Sequence, residues 1–201
     1  MSAYFTEHLA DNHYFDKHFN TEAVKILPGE YFATDAKQMI VTVLGSCVSV
    51  CLRDPITRVA GMNHFLLPEN KDTVNFNSES ARYGLYAMEI LVNHLTKLGA
   101  SKSRLQAKVF GGGNVLKQIK YTNVGEQNAA FVNEYLDTEG FQVIASDLLG
   151  EYPRKVYFFP ETGEVKVRKI KSINNTTIAD REREYQGKIA LAPASGEVDL
   201  F

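Results

Sequence analysis

Hydrophobic and polar positions change rhythm along this chain, and the changes assign most of its elements. From Val41 to Leu44 apolar residues flank Thr42, and from Val48 to Arg53 apolar residues alternate with small or polar ones. A period of two is the mark of a strand with one buried face. Gly45-Ser46 interrupts the two runs, because glycine tolerates backbone angles closed to other residues. Asp54-Pro55 opens a turn, with aspartate suited to its first position and proline to its second, and Val59–Leu67 runs back. The rhythm then lengthens. Gly84, Met88, Leu91, Leu95 and Leu98 recur at spacings of four and three, which predicts a helix from about Glu79 to Leu98, capped by Ser78 or Ser80 and ended by Gly99. Asn123 with Glu126 resembles a capping box for a second helix, with Val124, Asn128, Phe131, Val132, Tyr135 and Leu136 along one side and Gly140 as its stop. Further strands are predicted at Leu105–Phe110, Phe141–Ser146, Arg154–Phe159 and Glu164–Ile170, the last two forming a hairpin through Glu161-Thr162-Gly163. Val24–Phe32 reads as a strand interrupted by a turn. Strands before, between and after two helices predict an α+β fold or a layered α/β/β domain.

The ends have a different texture. Residues 1–24 form an aromatic arm of mixed charge, with Tyr4, Phe5, Tyr14, Phe15 and Phe19 among His8, His13 and His18. Such an arm either packs on the domain by its rings or docks a partner. Glu69–Ser80 is a polar surface loop beside the His64 strand. Residues 171–201 form a polar tail. In it Ile178–Ile189 predicts a short helix with interleaved charges, the pattern of a solvated face, followed by a linker at Ala192–Glu197 and an apolar-acidic tip, Val198–Phe201.

Composition narrows the class. The 201 residues suit one main domain, here 25–170, and 44% of them are hydrophobic, enough for a core. A net charge of −2 gives no pull toward nucleic acid or an anionic membrane. No apolar run approaches the roughly 20 residues of a membrane span, and the start has no signal-peptide pattern. Two cysteines four residues apart in one strand are too distant to bridge, and free thiols suit a reducing cytoplasm. His8, His13, His18 and His94 lack zinc-like spacing, and no metal motif is seen. The glycine run 111–113 lacks the lysine of a phosphate loop and reads as a tight turn.

Cys47 and His64 are the candidate chemistry. A turn at Asp54–Thr57 would set them directly opposite each other, on one face of a hairpin. A thiol is mostly protonated at neutral pH, and a neighbouring imidazole can take the proton and leave a thiolate nucleophile. Thr42 is the nearest group to orient the imidazole, and the Gly45-Ser46-Cys47 turn can aim N–H groups at an oxyanion. The pattern fits a cysteine hydrolase or acyl-transfer site. On spacing alone it better fits a buried thiol beside a core histidine, since cysteine is among the most buried residue types.

Longer motifs weigh on that choice. LGSCVSVCLRDP, GMNHFLLP, ARYGLYAMEILVNHL, AKVFGGGN and YPRKVYFFP, spread over about residues 28–170, closely resemble the CheD family of chemoreceptor glutamine deamidases. The resemblance implies a sheet sandwich with two main helices on one side of a mostly antiparallel sheet. It implies a protein-glutamine glutaminase, a hydrolase of bacterial chemotaxis signalling that needs no cofactor and turns glutamines of methyl-accepting chemoreceptors into glutamates. It places the nucleophile at Cys47, the base at His64 and the orienting hydroxyl at Thr42, and the family's Phe-Gly-Gly turn, here Phe110-Gly111-Gly112, leaves the glycine run open as a site wall. It also implies a second role, as a binding module for receptors or for a CheC-type phosphatase, without nucleic acid or membrane insertion.

Overall fold

The computed structural model describes residues 8–68, 79–114, 124–170 and 176–191. Its strands are β1 (Asn12–Asp16), β2 (Thr21–Lys25), β3 (Tyr31–Thr34), β4 (Met39–Leu44), β5 (Val48–Arg53), β6 (Ala60–Asn63), β7 (Gln106–Gly111), β8 (Gln142–Leu148), β9 (Arg154–Phe159) and β10 (Glu164–Lys169). Its helices are α1 (Glu79–Lys97), α2 (Val124–Thr138) and α3 (Thr176–Leu191). The strands build two five-stranded sheets, β1-β2-β4-β9-β10 and β3-β6-β5-β7-β8. Only β2 with β4 and β7 with β8 run parallel, so the expected mostly antiparallel α/β/β sandwich is what forms.

The alternation read from the sequence decides which layer each side chain enters. Val48, Val50 and Leu52 point from β5 into the core shared with α1 and α2, where Met88, Leu91, Leu95, Phe131, Val132 and Leu136 also lie. Cys47 and Cys51 point the other way, into a second core between the sheets with Ile40, Leu44, Met62, Leu66, Val156 and Phe158. The hydrophobic stripe expected on α1 is therefore the face it buries, and Gly99, in the left-handed region at φ 102°, ends that helix. Ser80 does not cap α1; its hydroxyl donates to the Pro68 carbonyl at 2.8 Å. Most of the Glu69–Ser80 loop, the candidate caps Ser78 and Asn123, residues 171–175 and the linker and tip after Leu191 lie outside the described residues.

Two expectations change. Val24–Phe32 is not one interrupted strand: β2 joins the first sheet and β3 the second, so the chain crosses between layers at Leu27–Glu30. The aromatic arm contributes structure of its own, as β1 and β2 form an antiparallel ribbon on β4, with Phe19 packed edge-on against Tyr157 and Phe159.

The β5–β6 register also differs. Val48 pairs with Phe65 and Cys51 with Met62, which sets Cys47 level with Leu66 rather than with His64. The connection is longer than the turn assumed: Asp54 N–H closes on the Val59 carbonyl at 3.0 Å, and Arg58 takes up a left-handed conformation at φ 63°. Buried Asp54 organises this loop, accepting from the Ile56 and Ser101 amides and from the Arg104 guanidinium, which holds its carboxyl well below the usual carboxylate range. Two added loop residues shift the pairing by two positions, so side-chain direction survives. Cys47 and His64 still share the face that looks at the other sheet, as diagonal rather than opposed neighbours.

α1 and α2 meet at Gly84. A Cβ there would run into the buried Phe131 ring and come within 2.7 Å of a Leu67 methyl. Gly84→Ala is expected to lower stability by about 1–3 kcal/mol, the usual cost of overpacking a tight contact. Urea denaturation checks it, and an unchanged midpoint would mean that the helices separate freely.

Candidate active site

The turn between β4 and β5 has a sharply ordered backbone. Each of its three carbonyls is held on one side: Gly45 by Gly113 N–H at 2.8 Å, Ser46 by Asn128 Nδ2 at 2.9 Å, and Cys47 by Gly112 N–H at 2.8 Å. Fixing the Gly45 and Ser46 carbonyls turns the N–H groups of the same two peptide units, those of Ser46 and Cys47, the other way, where they and Gly45 N–H face a common centre. Successive amides arranged like this form an anion-binding concavity. The glycine run after β7 is thus a wall of the site. It needs its glycines, since a Cβ on Gly111 would strike the Cys47 carbonyl and Gly111 itself sits at φ 115°. Asn128 ties the turn to the chain beyond β6, because its Oδ1 also accepts from Leu67 N–H at 2.9 Å.

His64 approaches from the second sheet. Its backbone has left β5 for the β3 side, donating from its N–H to Glu30 O at 2.9 Å and accepting from Gly29 N–H at 2.7 Å. On the β5 side the Asn63 side chain fills the ladder position, accepting from Val50 N–H at 2.9 Å. The ring of His64 then crosses the sandwich to Thr42 of β4, with Thr42 Oγ1 at 2.7 Å from His64 Nδ1. Hydrogen bonding fixes the tautomer. Thr42 has one hydroxyl proton and gives it to the Ile26 carbonyl at 2.8 Å, which can only accept. Its oxygen must therefore accept from His64, so Nδ1 carries the proton and Nε2 holds a lone pair. That Nε2 is buried and has no hydrogen-bond partner among the described residues. Burial lowers the His64 pKa to about 3, partly offset by the Ile26 carbonyl, so the ring is a neutral proton acceptor at physiological pH.

The amide centre is occupied by a residue from the far end of the chain. Glu182 of α3 is buried, and its Oε1 accepts from Gly45 N–H at 3.1 Å, Ser46 N–H at 2.9 Å and Cys47 N–H at 3.3 Å. Its Oε2 accepts from Ser46 Oγ at 2.7 Å. Burial pushes the Cys47 thiol well above its ordinary value, and the charge of Glu182 and a hydrogen bond to it push it further. Cys51 is also buried and its thiol likewise raised, by desolvation, with the charge of Lys108 acting against it. Both thiols are free.

Of the residues singled out in the sequence, Thr42 and His64 are hydrogen-bonded to each other, and Cys47 lies in the amide-lined turn on their side of the sandwich. Cys51 points into the same inter-sheet core among apolar neighbours. Three contributions went unread. Asn128 was visible as a polar residue on an apolar stripe, the pattern of a buried side chain with a backbone to hold. The amides of Gly112 and Gly113 had no local signal. Glu182 was hidden in a run of alternating charges that resembles a solvated helix.

The family described as CheD chemotactic sensory transduction matches residues 66–169. A protein of Shewanella oneidensis named probable chemoreceptor glutamine deamidase CheD 1 is 62% identical over 94% of this chain and 93% of its own length. Probable chemoreceptor glutamine deamidases CheD of Methylobacillus flagellatus and CheD 1 of Dechloromonas aromatica are 55% and 51% identical, over 97% and 100% of this chain and the same shares of their own. Among solved structures, the Bacillus licheniformis hypothetical protein YfiH aligns with 60% of this chain and 51% of its own length at a TM-score of 0.40 and 13% identity, too remote to carry an argument. Matches of this identity along nearly the whole length leave one assignment: the chain belongs to the CheD family.

Proposed function

We propose that this chain is a chemoreceptor glutamine deamidase that works through Cys47, His64 and Thr42. The names of its relatives support the reaction and the class of substrate. The mechanism rests on one observation above others: an unpaired, buried imidazole nitrogen of fixed tautomer on the same inter-sheet face as a thiol whose own turn presents three convergent N–H groups.

The chemistry follows from those positions. The Cys47 proton passes to His64 Nε2, and the thiolate adds to the carbon of a glutamine side-chain amide. The amide oxygen becomes an oxyanion and takes the place of Glu182 Oε1 among the amides of Gly45, Ser46 and Cys47. Imidazolium Nε2–H protonates the departing nitrogen, ammonia leaves, and a γ-glutamyl thioester remains. Nε2 then takes a proton from water as its oxygen adds to the thioester. Collapse of that adduct returns the proton to sulfur and frees glutamate. Thr42 keeps Nδ1–H engaged through both halves, which holds the lone pair on Nε2. The adaptor reading, with a receptor or a CheC-type phosphatase as the bound partner, gives no role to this tautomer.

Cys47→Ala removes the nucleophile and little volume. Glutamine-to-glutamate conversion on a receptor is expected to vanish while pull-down of the receptor persists. Conversion at the wild-type rate would exclude the thiol mechanism, and wild-type binding without conversion on any receptor would favour the adaptor.

Thr42→Val is expected to cost less than His64→Ala, for which a loss of about 100-fold or more is expected because the general base itself is gone. Thr42→Ser, which keeps the hydroxyl, should recover most of the rate. Equal and complete loss in Thr42→Val and His64→Ala, with Thr42→Ser active, would assign the hydroxyl a larger part than orientation.

Cys51→Ala should keep most of its activity, because its thiol is remote from the converging amides and lies among apolar neighbours that disfavour its ionisation. An inactive but folded Cys51→Ala protein with Cys47 unreactive to alkylation would exchange the two assignments.

A further inference from the structure

We infer that α3 occupies the place of the substrate, with Glu182 standing in the site as a built-in analogue of the product. The inference deepens the proposed deamidase function and rests on it for the word product, though the occupancy itself does not.

Glutamate and glutamine have the same length and shape, differing by an oxygen for an amino group at the tip. A site that seats the Glu182 carboxylate with one oxygen on three amides would seat a glutamine amide with its carbonyl oxygen there. The second oxygen, on Ser46 Oγ, then marks where the departing nitrogen sits. Deamidation of glutamine leaves this same carboxylate.

The residue is presented on a helix. Among Asp180–Gly187 only Glu182 is buried, and Tyr185 and Gln186, one turn further along, are half-buried, while Asp180, Arg181, Arg183, Glu184 and Gly187 are exposed. The helix therefore touches the domain along one narrow face, at positions i, i+3 and i+4. Tyr185 is the second anchor. Its ring lies against Gly29, which sits at φ 87° and has no room for a Cβ, and its hydroxyl hydrogen-bonds that of Tyr83 on α1. Arg181 and Glu182 line one cleft with His64, Ile26 and Pro28, so the helix covers the base as well as the turn. Cys47 and His64 are at most 2% exposed with α3 in place, and no receptor glutamine can reach them until it moves. Because α3 is joined to β10 through residues 170–175, it competes from within the chain, where a short tether gives an effective concentration on the order of millimolar.

The consequence is autoinhibition by a resident helix, relieved by whatever binds in its place, and it is testable on the full-length protein. In a Cys51→Ala background, the rate of Cys47 alkylation by iodoacetamide is compared between the protein that keeps Glu182 and Tyr185 and its Glu182→Ala and Tyr185→Ala variants. Both substitutions should raise it, by about tenfold for each unit that the thiol pKa falls. Receptor conversion should rise in parallel. Glu182→Gln should then become a substrate of its own site. The peptide carrying position 182 should gain the mass of amide-to-acid conversion with time, and should not do so when Cys47→Ala is added. Alkylation unchanged in both variants would overturn the occupancy. Faster alkylation and receptor conversion, with the glutamine of the Glu182→Gln variant never converted, would overturn the product-analogue reading. Faster alkylation with no conversion of any glutamine, in cis or in a receptor, would leave α3 as the occupant and refute the deamidase function instead.

Discussion

The site depends on how three consecutive peptide units are oriented. A peptide unit carries the C=O of one residue and the N–H of the next on opposite sides, so pinning the Gly45 and Ser46 carbonyls fixes where the Ser46 and Cys47 amides point, and pinning the Cys47 carbonyl aims Val48 N–H at the Phe65 carbonyl. The pins come from distant parts of the chain: the glycine turn after β7 supplies two and α2 supplies the third. This is why the fold places β7 beside β5 and lays α2 over the same end of the sheet. A site assembled from a loop alone would have to order those amides at the moment of reaction, and here the cost is met in folding.

The other half of the machinery comes from the facing sheet. Thr42 lies at the inward face of β4 and His64 where β6 has turned from β5 toward β3, so their 2.7 Å contact bridges the sandwich. Placing the pair in the inter-sheet core has a definite electrostatic effect. It keeps the imidazole neutral and the thiol protonated at rest. A charged thiolate–imidazolium pair would be poorly solvated there until a substrate oxygen arrives to take up developing charge at the amides.

Much of this was legible in the chain. Period-two runs located β4 and β5, and the four-three spacing located the buried face of α1, because burial on one side is what both patterns record. The Cys47, His64 and Thr42 assignment came from resemblance, not from spacing. The hairpin arithmetic shows why: a loop longer than a simple turn moved the pairing, and only the unchanged parity kept Cys47 and His64 on one face. Glu182 was beyond reach for a different reason. Nothing local distinguishes it from Glu184, and its burial arises from partners at least 135 residues away in sequence.

Glu182 also couples occupancy to chemistry. Burying a carboxylate is costly, and here three amides and one hydroxyl meet that cost without a cationic partner among the described residues. The same negative charge disfavours a thiolate beside it. A glutamine in that position would bring the same shape without the charge, so the amides would hold it less tightly in the ground state while the thiol would ionise more readily. Charge on the bound oxygen would then appear only as the thiolate attacks, when the amides bind it most strongly. The same three N–H groups therefore hold a resident glutamate at rest and favour the transition state of an arriving glutamine.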